Sequence, residues 1–107
     1  MIDLVAFVKP VLDEITGQDV RIWLAGQRVV NANWQIPDSR SRAWSDRALE
    51  IEMAHEVAEQ LNHADQRALY QLQRSLDRFL RERLGVHCKQ DKPGKAIVIV
   101  VDRLTAT

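Results

Sequence analysis

The chain has 107 residues, 46% of them hydrophobic and 28% charged, with 15 basic residues balanced by 15 acidic ones. That length suits one domain, 1–107, with a single core, and zero net charge excludes a global field drawing the chain to nucleic acid or anionic membrane. The single cysteine, Cys88, excludes an internal disulfide and any multi-cysteine metal site. No apolar run reaches the ~18 residues of a membrane helix, and the start lacks a signal peptide's basic region, so the cytoplasm is the expected compartment.

Residues 2–15 place Ile2, Val5, Val8, Leu12 and Ile15 at spacings of three and four, with Leu4, Phe7 and Val11 widening the stripe. This predicts an amphipathic helix. Pro10 removes one backbone bond within it, and Thr16-Gly17 supplies its end. Val20, Ile22 and Leu24 then alternate with Arg21 and Trp23. Val30, Ala32, Trp34 and Ile36 alternate with Val29, Asn31, Asn33 and Gln35. Two such runs around Ala25-Gly26-Gln27 predict an antiparallel hairpin with one face in the core, closed by Pro37. Trp23 falls on the face opposite Val20, Ile22 and Leu24; packing inside the domain is expected, with an exposed binding anchor beside Arg21 as the alternative.

A polar connection follows to Asp46. Ser45 or Asp46 can cap a second helix reaching about Leu61, with Ile51, Met53, Ala54, Val57, Ala58 and Leu61 on its inner face. Glu52, His55, Glu56, Glu59 and His63 lie outside, and Glu50 falls among the apolar positions without an evident partner. A break near residues 62–64 separates this helix from a long one over 64–84, a single helix through 46–84 being the competing arrangement. Gly85 is expected to stop the long helix and HCKQDKPGK to form a basic turn. Ala96 to Val101, AIVIVV, is apolar on both alternations, which predicts a strand in the middle of a sheet, its second face needing a cover such as another subunit. The expected fold is α+β in the order α-β-β-α-α-β. Three helices accompany a small antiparallel or mixed sheet made of the hairpin and the C-terminal strand.

The long helix carries the most conspicuous chemistry. Ala68, Leu69, Leu72, Leu76, Phe79, Leu80 and Leu84 share one side, and Arg67, Tyr70, Arg74, Arg78 and Arg81 share the other. Arg40, Arg42 and Arg47 lie in or beside the preceding loop, near Trp44. Guanidinium groups grip carboxylates and phosphates bidentately, and aromatic side chains add an anchoring contact. The candidate partner-binding set is therefore Arg40, Arg42, Trp44, Arg67, Tyr70, Arg74, Arg78 and Arg81. Residues 44–63 hold Asp46, Glu50, Glu52, Glu56 and Glu59 against Arg47 alone, whereas 64–84 are arginine-rich. Neighbouring helices of opposite sign disfavour phosphate and favour pairing within the domain or with a second copy.

The other groups carry less. His55, Glu59 and His63 recur every fourth residue, but an intact helix sets the outer two about 12 Å apart, too far to share a metal. His87-Cys88 has no orienting acid, and Gly17, Gly26, Gly85 and Gly94 are isolated rather than a phosphate loop. No catalytic, metal or cofactor site is expected, and an enzyme is disfavoured. The expected function is a protein-interaction or assembly module (adaptor, assembly component or inhibitor) that binds a protein partner, itself, or both, away from membranes. A nucleic-acid-binding accessory protein using the arginines on phosphates is the alternative.

Overall fold

Residues 49–53, Leu-Glu-Ile-Glu-Met, form the strand on which the sheet is assembled. The computed structural model describes residues 2–32, 35–37, 44–46, 48–90 and 96–105. The elements in chain order are α1 (Leu4–Thr16), β1 (Ile22–Ala25), β2 (Arg28–Asn31), β3 (Gln35–Pro37), β4 (Trp44–Asp46), β5 (Leu49–Met53), α2 (His55–His63), α3 (Gln66–Gln90) and β6 (Ile97–Val101). The main sheet runs β1-β2-β5-β6, antiparallel in its first two pairs and parallel between β5 and β6; β3 and β4 pair separately. The result is an α+β fold with a hairpin, a C-terminal strand and three helices, joined to a mixed sheet by the α2–α3 crossover.

Helices cover one face of that sheet. Val29, Leu49, Ile51, Met53, Ile97, Ile99 and Val101 point inward, into one core with Phe7, Val8, Val11 and Leu12 of α1. Val57 and Leu61 of α2 and Leu72, Leu76, Leu80 and Leu84 of α3 complete it. Burying one such leucine contributes about 1.5–3 kcal/mol, so the inner stripe of α3 holds the helix down.

Capping fixes the helix ends. The Asp3 carboxylate accepts from the backbone N–H groups of Val5 (3.1 Å) and Ala6 (3.2 Å), and Gly17, at φ 66°, returns its N–H to the Asp13 carbonyl (2.9 Å). Pro10 is accommodated inside α1. Lys9 Nζ donates to Asp13 (3.2 Å), Asp19 (2.7 Å) and the Val20 carbonyl (2.9 Å), tying α1 to the chain entering β1. Asp65 opens α3, its carboxylate accepting the Ala68 N–H (2.8 Å) and its carbonyl the Leu69 N–H (2.8 Å). The break between α2 and α3 therefore lies at Ala64–Asp65, and the single helix over 46–84 is excluded.

Six expectations are corrected. Residues 49–53 are strand rather than helix: Leu49, Ile51 and Met53 face inward while Glu50 and Glu52 face out, where Arg28 on β2 reaches both (3.4 and 3.5 Å). Glu50 thus has its partner. In β2 the buried residues are Val29 and Asn31 rather than Val30 and Ala32. The cause is the two-residue turn Gly26-Gln27, which sets Ala25 opposite Arg28 and Leu24 opposite Val29. Leu24 and Trp23, expected inside, are half-exposed. Gly85 does not end α3, which continues to Gln90, since a helical glycine without positive φ weakens a helix without breaking it. Finally, β6 lies at a sheet edge with Val98 and Val100 exposed, rather than covered on both faces in the middle. Ile36 belongs to β3 rather than to a prolonged β2, and Trp34 lies outside the described residues.

Candidate interaction groove between the first and third helices

The burial of Leu72, Leu76, Leu80 and Leu84 fixes the rotation of α3 and turns Tyr70, Arg74, Arg78 and Arg81 outward. The helix lies against α1, and Gln73 bridges the two by donating Nε2–H to the Phe7 carbonyl (2.8 Å). Along this seam runs a groove of about 620 Å³. Pro10, Val11 and Glu14 form its α1 wall, and the other wall is Tyr70, Gln73, Arg74, Asp77, Arg78 and Arg81. Four of the eight sequence-predicted partner residues thus meet in one depression.

The charges there are not equivalent. Arg81 Nε donates to Asp77 Oδ1 (2.7 Å), and its Nη2 lies 3.8 Å from Glu14 Oε1. The hydrogen bond to Asp77, with a smaller attraction from Glu14, raises the Arg81 pKa above the ordinary arginine value. Arg74 and Arg78 have no ion-pair partner among the described residues, and both are exposed. Tyr70 is 62% exposed, a large solvated area for a ring at the groove's end. The groove therefore offers two unengaged guanidinium groups one helical turn apart, about 6 Å along the axis, with an aromatic ring beyond them.

The remaining predicted residues fall elsewhere. Arg67 is exposed near the start of α3 and extends the stripe outside the groove lining. Trp44 belongs to β4, and Arg40, Arg42 and Arg47 lie outside the described residues. The acidic stretch is divided: Glu50 and Glu52 sit on β5 beside Arg28, leaving Glu56 and Glu59 exposed on α2. His55 Nε2 contacts Glu59 Oε1 (3.2 Å) on the same exposed face, and among the described residues no three His, Cys, Asp or Glu side chains are grouped to hold a metal ion. His87 lies within α3, not in a turn.

Sequence reasoning missed one wall of the groove and, away from it, a buried polar residue of the hairpin. Glu14 and Pro10 belong to α1, whose outer face gave no sign of facing the arginines; that juxtaposition follows only from the packing of α1 on α3. Asn31, the one buried polar residue among those described, donates to the Arg21 carbonyl (3.1 Å) and steadies the hairpin. No helix among the described residues is long and apolar enough to cross a membrane. No family model matches the chain, and no curated protein or solved structure is significantly similar to it.

Proposed function

We propose that this protein is a non-enzymatic interaction or assembly module (an adaptor, an assembly component or an inhibitor) that associates with itself and receives an acidic protein segment in the α1–α3 groove. The observation that carries the reading is the contrast within the groove. Its own acids, Glu14 and Asp77, are engaged by Arg81, whereas Arg74 and Arg78 stand exposed without an ion-pair partner among the described residues. Glutamates four residues apart on a partner helix repeat the same ~6 Å spacing and match the two guanidinium groups pairwise. Tyr70 supplies the anchoring ring at the end of the row. A cytoplasmic setting belongs to the same reading and accords with the single cysteine.

Nucleic acid is the less favoured ligand, because Glu14 and Asp77 place two carboxylates among the arginines a phosphate chain would meet. A labelled helical peptide with glutamates at i and i+4 tests the proposal by fluorescence anisotropy. Reversing Arg74 and Arg78 to Glu weakens its binding at least about tenfold, since the sign of the site is inverted, while circular dichroism and Tm stay unchanged because both side chains are exposed. Unaltered peptide affinity in the double variant removes the groove from the account. Tighter binding of an oligonucleotide, with a log–log salt slope falling by close to one per arginine removed, transfers the site to nucleic acid.

A further inference from the structure

Among the described residues, the outer side of β6 is an unpaired sheet edge. In the parallel ladder Ile97 donates its N–H to the Ala48 carbonyl (2.8 Å), and the Val101 carbonyl accepts the Ala54 N–H (3.0 Å). Bonding toward β5 therefore falls on Ile97, Ile99 and Val101, and the N–H and C=O groups of Val98 and Val100 point away from the sheet. No described strand lies on that side, and the side chains of Val98 and Val100 are 47% and 51% exposed.

Edge strands in natural proteins are guarded by charges, prolines, bulges or brevity. Neither edge strand holds a charge or proline within it: β1 has four residues and is entered through Asp19 and Arg21, and β6 has five, all β-branched and apolar, with Asp102 and Arg103 just after it. We propose that this edge pairs antiparallel with β6 of a second copy about a two-fold axis through Ile99, joining two four-stranded sheets into one of eight. This rests on the reading of the chain as self-associating and specifies its mode.

Register suits a second copy, and charge favours the edge over the open face. Centring the pair on Ile99 sets Val98 opposite Val100 of the other strand, and each such pair exchanges two backbone hydrogen bonds, so all the free groups of both valines are satisfied. Inward residues meet inward residues, Ile97 against Val101 and Ile99 against its own copy, extending one apolar layer. Electrostatics chooses the edge over the open face. That face carries Arg28, Glu50 and Glu52 on its two central strands. Packing face to face would bring two sets of these charges within about 10 Å and strip their water. Edge pairing keeps them hydrated and sets the β5 glutamates of the two copies three strand spacings apart, about 14 Å, beyond the ~8 Å screening length at physiological salt. A strand of ~17 Å covers far less than the ~800 Å² per partner of a standard interface, so the dimer is reversible and concentration-dependent.

Light scattering over a concentration series, together with amide hydrogen exchange at Val98 and Val100, tests the assignment. The expected result is a mass rising from 12.3 kDa toward twice that value, little altered by salt, with both amides becoming protected as the dimer forms. The double variant Val98→Lys, Val100→Lys places lysines directly opposite lysines across the axis and weakens association at least about tenfold. Its side chains project from an exposed face, so circular dichroism reports an intact fold. A chain that stays monomeric overturns the proposal, as does a dimer in which the two amides exchange freely. Protection appearing only on adding an unrelated Val/Thr-rich peptide overturns it and gives the edge to a foreign strand. Dimerisation that survives the lysines but is lost on reversing Arg74 and Arg78 overturns it while leaving the groove reading intact. Unaltered peptide binding on reversing Arg74 and Arg78, with a dimer that the lysines abolish, does the reverse.

Discussion

Two glycines separate what a residue type permits from what its position demands. Gly17 terminates α1 at φ 66°, where a side chain meets no atom within 4 Å but its Cβ would strain against its own backbone. Gly85 lies inside α3 without positive φ, and a Cβ there also meets nothing within 4 Å. Space is equal at the two sites, so backbone conformation alone decides the sign. Gly85→Ala is expected to stabilise the fold by about 0.5–1 kcal/mol through helix propensity, and Gly17→Ala to destabilise it by about 1 kcal/mol. Urea titration of the two variants checks both signs at once. Gly17 was legible from sequence because a glycine after the last apolar turn has one common use. Gly85 was not, because the same signal stands where the leucine stripe ends while the backbone continues as helix.

At the scale of elements, legibility depended on how long a period was sustained. The leucine row of α3 repeats over four turns, and the helix and its two faces were readable without coordinates. The five residues of β5 run directly into α2, so Ile51, Ala54, Ala58 and Leu61 imitate a helical stripe although Leu49, Ile51 and Met53 alternate. Glu50 was the discordant residue: in a helix it is stranded among apolar neighbours, and in the strand it faces Arg28. The same ambiguity arose in β2, where adjacent Val29 and Val30 leave the phase to be chosen by the turn. Alternation in β5 makes a sharp prediction. Ile51→Ala should cost about 2–5 kcal/mol, as a fully buried residue of the central sheet. The adjacent Glu52→Thr should stay within about 0.5 kcal/mol, because it exchanges a half-exposed ion pair with Arg28 for a better strand former. Equilibrium denaturation distinguishes this pattern from a helical one, in which neighbours differ less sharply.

The whole molecule turns two chemically unlike surfaces to solvent. Among the described residues, the helix layer carries a groove between α1 and α3 in which Arg74 and Arg78 have no ion-pair partner, and the sheet ends in an uncharged strand whose outward backbone groups lack partners. The stripe was visible in the sequence, but its second wall on α1 was not; the apolar strand was visible, but its edge position depends on a pairing order that local pattern does not encode. The surfaces share no residue, and the two proposed associations would differ in force: charge at the groove, which salt screens, and backbone pairing with apolar contact at the strand, which salt leaves nearly untouched. One ligand shifts the affinity of another only by its differential contacts with the states the other selects, and neither surface contains a group that the opposite ligand touches. The expected outcome is independence. Saturating the groove with the acidic helical peptide should leave the dimer dissociation constant unchanged within about twofold, and the lysine variant of β6 should bind the peptide as the parent chain does. Sedimentation equilibrium with and without peptide measures the first, and anisotropy on the variant the second. Coupling of tenfold or more, about 1.4 kcal/mol, would mean that one element answers to both ligands, and α3 would be that element: it carries the arginines outward, and its Ser75 hydroxyl accepts the Thr105 N–H (3.3 Å) just beyond β6.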